Sequence, residues 1–215
     1  MALVNYADEW LTAHNPVPAS ANIHRRIGGL LLISSLFSVI GVIGLWLVVA
    51  NVRMAALPLA LSLFSAIPLV FVWAMYFLLL NLFPVYQIVP LFQLTAIWLL
   101  LIELASGAHA TVAGLAGVFM LVIGAYVLDV GKLKWVIPSK LFLIMLCVTF
   151  ILATSQYVVR VAASLSSGAG AVSFWQYVGI LGIGIALFLF VRPYREGFFI
   201  RIQRQGKSFV GISVC

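Results

Sequence analysis

Long apolar runs separated by short polar interruptions dominate the chain. Six stretches have the length of a membrane-crossing helix, which needs about 20 mainly apolar residues. They cover residues 27–50, 55–80, 84–105, 109–129, 138–163 and 173–193. Strands are not expected, because a membrane strand alternates polar and apolar positions over about ten residues and these runs do not. In lipid the backbone must satisfy its own hydrogen bonds, so the runs are read as helices. Asn51-Val52-Arg53 joins the first two, Asn81 to Pro84 the second and third, and Ser106 to His109 the third and fourth. Such short links predict that successive helices are antiparallel neighbours. Residues 130–137, with Lys132 and Lys134, and the Ser/Gly-rich residues 164–172 form longer links. The tail after residue 193 interleaves Tyr194, Phe198, Phe199 and Phe209 with Arg195, Arg201, Arg204 and Lys207, the pattern of a segment lying on anionic lipid.

Composition turns this pattern into a class. Of 215 residues, 65% are hydrophobic and 8% charged, with a mean hydropathy of +1.21. A water-soluble domain is about half apolar and a quarter charged, so this chain cannot cover a water-facing surface. The expected fold is an all-α polytopic transmembrane bundle of about six spans. The N-terminal 26 residues contain Asp8, Glu9 and two prolines and lack the basic start and apolar core of a secretory signal. The net charge is +7. In a soluble protein that excess would suggest nucleic acid. Here the basic residues fall between apolar runs, as topology signals and headgroup contacts, and no nucleic-acid partner is expected. With the N-terminus inside, Arg25, Arg26, Lys132, Lys134, Lys140, Arg192, Arg195, Arg201, Arg204 and Lys207 fall inside, and Arg53 and Arg160 outside. Of the 12 basic residues, ten therefore lie on one side. The rule for positive loops then places a multi-pass protein in the cell (inner) membrane with both termini in the cytoplasm.

The centre of the chain carries a family resemblance. From Tyr76 to Leu94 it reads YFLLLNLFPVYQIVPLFQL; Leu99 to Leu104 reads LLLIEL; TVAGLAG follows at Thr111–Gly117 and VIGAYVL at Val122–Leu128. This succession resembles the EamA-like repeat of the drug/metabolite transporter superfamily. In that repeat a helix ends before a proline-containing turn, a proline-broken helix ends in a glutamate, and a glycine-containing helix follows. Residues 55–129 carry the resemblance well and the flanks more weakly. Asn5 to Leu11, NYADEWL, looks like the outer end of the family's first helix. The resemblance implies a two-repeat (5+5) architecture of inverted topology. Residues 1–130 would form the first repeat, with its first helix largely missing, and residues 131–215 the opening helices of a second. The sequence is then a fragment, or a homodimer or completing chain makes up the bundle. The family's orientation would put residues 130–137 outside, against the basic-residue count. The resemblance also implies secondary transport of a small organic metabolite, and no cofactor.

Several residues could serve such an activity. Gln87 and Gln93 flank Pro90 on the third span. Proline removes a helix hydrogen bond, and a broken helix with amides beside it is the material of a transporter's midplane site. The same residues could equally form a packed kink held by glutamine hydrogen bonds. Trp73 and Tyr76 are one turn apart on the second span, where they line a cavity wall or pack. Gln156 and Arg160, at i and i+4 on the fifth span, could face an anionic solute, or Arg160 could reach the interface from a helix end. Glu103 lies within a spanning stretch. An intramembrane acid suggests coupling, and a position near a helix end suggests structure. In the family the matching glutamate looks structural. Small residues at Ala110, Ala113, Gly114 and Gly117, and at Gly179, Gly182 and Gly184, allow close helix approach. Cys147 reads as a small packing residue and Cys215 has no partner pattern. No catalytic constellation, phosphate-binding loop or metal set occurs; His109 and Asp129 lack ligands at useful spacing. An ATP-driven pump and a membrane-embedded lipid enzyme both lack their residues. The rival to transport is a membrane subunit or scaffold, in which the glutamines only hold helices together.

Overall fold

A computed structural model of the chain describes residues 23–49, 51–107, 116–117, 119–120, 123, 139–166 and 168–212, of which 139 and 204–212 are described by their backbone alone. Among the described residues seven α-helices have defined bounds: α1 (Ile23–Val48), α2 (Ala56–Leu80), the single turn α3 (Val85–Ile88), α4 (Leu94–Ala105), α5 (Ser139–Ser164), α6 (Ala169–Phe190) and α7 (Arg192–Ile212). A 3₁₀ turn, Pro90–Gln93, joins α3 to α4. Among the described residues five segments are long and apolar enough to cross a membrane: α1, α2, the broken run Val85–Ala105, Lys140–Ser164 in α5, and α6. The expected span 109–129 lies largely outside the described residues.

The order of packing is not the order of sequence. α6 lies between α1 and α2, α2 packs on α5, and α5 packs on α4, while α7 crosses α1 at its first turns. The short link between α1 and α2 was expected to make them close partners, yet they touch far less than each touches α6. Lipid offers no hydrophobic drive between helices, so association goes where backbones can come close. A Cβ on Gly179 would lie 2.8 Å from Cβ of Ala66 on α2, and one on Gly184 would run into the Ser35 side chain on α1. A Cβ on Gly41 of α1 would meet the Tyr177 ring of α6 at 3.1 Å. Glycines on both sides thus make α6 the helix that two others can approach. Trp175 near the start of α6 secures it by donating its indole N–H to the Val52 carbonyl, 2.7 Å away in the α1–α2 link.

The buried polar groups on these seams belong to serine and threonine. Ser35, Ser62, Ser65 and Thr149 are buried and donate to carbonyls of their own helices. Ser155 of α5 instead crosses to α2, donating to the Ser65 carbonyl at 2.9 Å. Large apolar side chains point outward: Phe37 is 65% exposed, Phe64 61%, Leu143 62% and Leu189 60%. Interior serines beneath an apolar exterior are the arrangement of a chain whose solvent is lipid. Cys147 is exposed on α5, so it faces outward instead of packing inside.

Helix directions follow from the contacts. Trp98 meets Phe150, and farther along both helices Glu103 meets Arg160, so α4 and α5 run parallel. Leu141 and Met145 at the start of α5 share a core with Ile27 and Leu30 of α1, Tyr76, Phe77 and Leu79 of α2, and Ile88 and Leu91 before α4. One end of the bundle therefore gathers Arg25, Arg26, Lys140, Arg192, Arg195 and Arg201, and is called the basic end here. Arg53 and Arg160 lie at the opposite end.

The Gly179 contact gives a direct test. Gly179→Val should destabilise the protein by about 1–3 kcal/mol, the usual cost of overpacking. Gly182→Val, where an added Cβ meets nothing within 4 Å, should leave the melting temperature near that of the parent. Thermal unfolding of both variants in one detergent separates crossing geometry from helix propensity.

Candidate functional site

The third crossing, Val85–Ala105, is interrupted in its first half. α3 closes one turn, with the Val89 N–H donating to the Val85 carbonyl at 2.9 Å. Pro90 has no N–H to offer the next carbonyl, that of Tyr86, and the chain tightens into the 3₁₀ turn before α4 begins. This is the break expected from the sequence. Tyr76 of α2 is buried against it, its ring edge-on to Phe92 with centroids 5.6 Å apart, and Trp73 packs on the same core.

Gln87, Pro90 and Gln93 are half-buried here, so Trp73, Tyr76 and the broken segment form one region at the basic half of the bundle. Gln156 does not join them. Its neighbour Ser155 points inward to Ser65, and Gln156 itself is exposed. At 1.5 Å per residue Gln93 lies about 13 Å from the basic end and Gln156 about 25 Å, so they also differ in depth. One group was missed. Thr95 sits a turn past the break, and its hydroxyl is buried without a hydrogen-bond partner among the described residues. A mid-helix threonine would ordinarily donate to the carbonyl four residues back. The threonine was legible as a residue two positions after Gln93, but nothing in the sequence showed that its hydroxyl would be left over.

At the opposite end Glu103 and Arg160 form an ion pair between α4 and α5. They were read separately, one as a lone acid and one as a cation beside Gln156. Two helices 57 positions apart in sequence must be parallel before the pair exists, so spacing could not reveal it. Arg160 is thus paired with a carboxylate.

Among the described residues no group of three or more His, Cys, Asp or Glu could hold a metal ion. A second polar assembly lies at the basic end, where α7 crosses α1. Glu196 accepts from Arg25 at 2.6 Å and from Arg192 at 2.8 Å. His24 stacks near Tyr194, with ring centroids 6.5 Å apart. Gly28, Gly29 and Gly197 permit the crossing, since a Cβ on Gly29 would meet the Gly197 carbonyl oxygen at 2.8 Å. Arg201 is brought wholly inside. The sequence showed α7 as an interfacial segment but not that one of its arginines is buried; the Gly28-Gly29 pair opposite Gly197 was the available signal.

Five apolar helices with serine-lined seams define a membrane-embedded helical protein. No protein-family model, curated protein or solved structure matches the chain. Any finer reading rests on its own residues.

The Glu103–Arg160 pair is testable by a double-mutant cycle. Both side chains keep contact with the surroundings, so the coupling between Glu103→Gln and Arg160→Gln should be only about 0.2–1 kcal/mol. The exchange Glu103→Arg with Arg160→Glu should recover most of the stability that either reversal alone loses, as read by thermal unfolding.

Proposed function

We propose that the chain is part of a membrane transporter of the drug/metabolite type, moving a small organic metabolite by secondary transport. The observation that carries the reading is the polar break in the third crossing: Pro90 interrupts the helix, with Gln87, Gln93 and Thr95 around it and Trp73 and Tyr76 packed beside it. Half-helix ends and leftover hydroxyls inside a bundle can exchange hydrogen bonds with a solute without leaving a polar group stranded in lipid. The resemblance of residues 55–129 to an EamA-like repeat supports the same reading. So does the parallel run of α4 and α5, which puts the end of one and the start of the other on opposite faces, as six spans require. Glu103, held by Arg160, is structural in this scheme, and Gln156 is left out of the site.

Orientation follows from charge. The basic end is assigned to the cytoplasm, with both termini there, because loops rich in Lys and Arg are retained on that side. A second reading, a membrane subunit that packs against another chain, is favoured by exposed Gln156, an amide that would be better satisfied against a neighbouring helix than in lipid.

Proteoliposomes loaded with mixed small metabolites, with efflux followed by mass spectrometry, test the proposal. Pro90→Ala should lower efflux about tenfold or more by restoring the helix and misplacing the glutamines, with reconstitution unchanged. Equal loss of insertion and efflux would count against a site. Full efflux in the Gln87→Leu, Gln93→Leu double variant would favour the subunit reading. For orientation, neutralising Lys132, Lys134 and Lys140 together should produce mixed topology in a cysteine-accessibility map; an unchanged map would remove the charge argument.

A further inference from the structure

Arg201 is 0% exposed, and its Nε and Nη1 have no hydrogen-bond partner among the described residues. Its Nη2 donates to the Arg26 carbonyl over a long 3.4 Å. Arg26 is half-buried, and its own Nε is buried and also unpartnered. Burial, with the charge on Arg26 adding to it, lowers the Arg201 guanidinium to about 10, so it still carries its proton at neutral pH. A buried cation without a counter-charge is strongly unfavourable, and arginine cannot escape by deprotonating. The nearby carboxylate does not meet the need, since Glu196 is already shared between Arg25 and Arg192.

Between α1, α6 and α7 is an apolar cleft. Leu32, Leu36, Leu181, Ile185, Phe188 and Phe198 line it, with a volume of about 200 Å³. Phe198 is one turn before Arg201 on α7. Leu32 is one turn after Gly29, where an added Cβ would meet the Arg201 side chain at 3.2 Å. The buried, unpartnered guanidinium and the head of the cleft are therefore about one helical turn apart along α1 and α7. An anionic head joined to an apolar tail, at the basic end of the bundle, matches both halves.

We propose that Arg26 and Arg201 hold the phosphate of an anionic phospholipid whose acyl chain enters the cleft between α1, α6 and α7. A guanidinium offers forked donors to phosphate oxygens, and two adjacent arginines select against a headgroup that carries its own positive charge. The site lies at the basic end, apart from the break at Pro90, and does not depend on the transport reading.

The test uses the full chain, stripped of lipid in mild detergent and examined by native mass spectrometry. Short-chain phosphatidylglycerol, phosphatidylcholine of the same chain length and inorganic phosphate serve as probes. A one-to-one phosphatidylglycerol adduct is expected, at least about tenfold more populated than that of phosphatidylcholine. Arg201→Met should cut it about tenfold while raising or preserving the melting temperature, because the buried charge goes with the arginine. Arg195→Gln, a charge change elsewhere on α7, should leave it in place. Leu181→Trp, which fills the cleft, should weaken the adduct in protein that keeps both arginines, so the test survives a failure of Arg201→Met to fold. Equal binding of the two lipids, or inorganic phosphate binding as well as phosphatidylglycerol, would overturn the lipid site. So would loss of stability on changing Asp8 and Glu9 to Asn and Gln in a protein that binds no lipid, which would identify an internal carboxylate as the counter-charge.

Discussion

Gly179 and Gly184 lie on different seams of α6, five residues apart, and let it approach α2 on one side and α1 on the other. The rest of the bundle depends on this double approach. Hydrocarbon surroundings give leucine no reason to prefer protein over lipid, so close backbones and the dispersion contacts they allow must hold helices together. With α6 in place, α1 and α2 acquire a common partner, α2 turns its other side to α5 through the Ser155–Ser65 bond, and α4 follows on α5. α7, leaving α6 at Val191, is then delivered across the glycines at the start of α1.

Much of the architecture was legible as hydropathy. The runs expected at 55–80, 84–105 and 138–163 match α2, the broken Val85–Ala105 run and α5 within about a residue, because apolar length is a direct requirement of the bilayer. The helices at either extreme were less well bounded. α1 begins at Ile23 rather than Ile27, and Arg25 in this added turn pairs with Glu196 of α7. α6 begins at Ala169, four residues before the expected start, where small uncharged residues gave no strong hydropathy signal. Neighbours were illegible. Link length suggested α1 against α2, whereas complementary small residues far apart in sequence decided for α6.

The candidate site divides in the same way. Pro90 acts through local chemistry, a missing N–H, and its break could be read directly. What surrounds it depends on which helix faces which. Tyr76 and Trp73 face it, and Gln156 does not, because Ser155 takes the inward position on α5. The charges divide likewise. Sequence indicates that basic residues collect on one side, but only packing shows that Glu103 meets Arg160, that Glu196 meets Arg25 and Arg192, and that Arg201 ends inside.

The insertion of α6 between α1 and α2 also sets a timetable. A ribosome working at roughly 5–20 residues per second delivers α6 on the order of ten seconds after the hairpin of α1 and α2. That hairpin stands in the bilayer with its eventual interface unfilled. Its serines are suited to the wait: Ser35 is bonded to Leu32, Ser62 to Pro58 and Ser65 to Ser62, all within their own helices. These three hydroxyls are satisfied before any neighbour arrives, so at their positions the early hairpin offers little polar surface to a wrong partner; Ser38 of α1, whose buried hydroxyl has no partner among the described residues, is the exception.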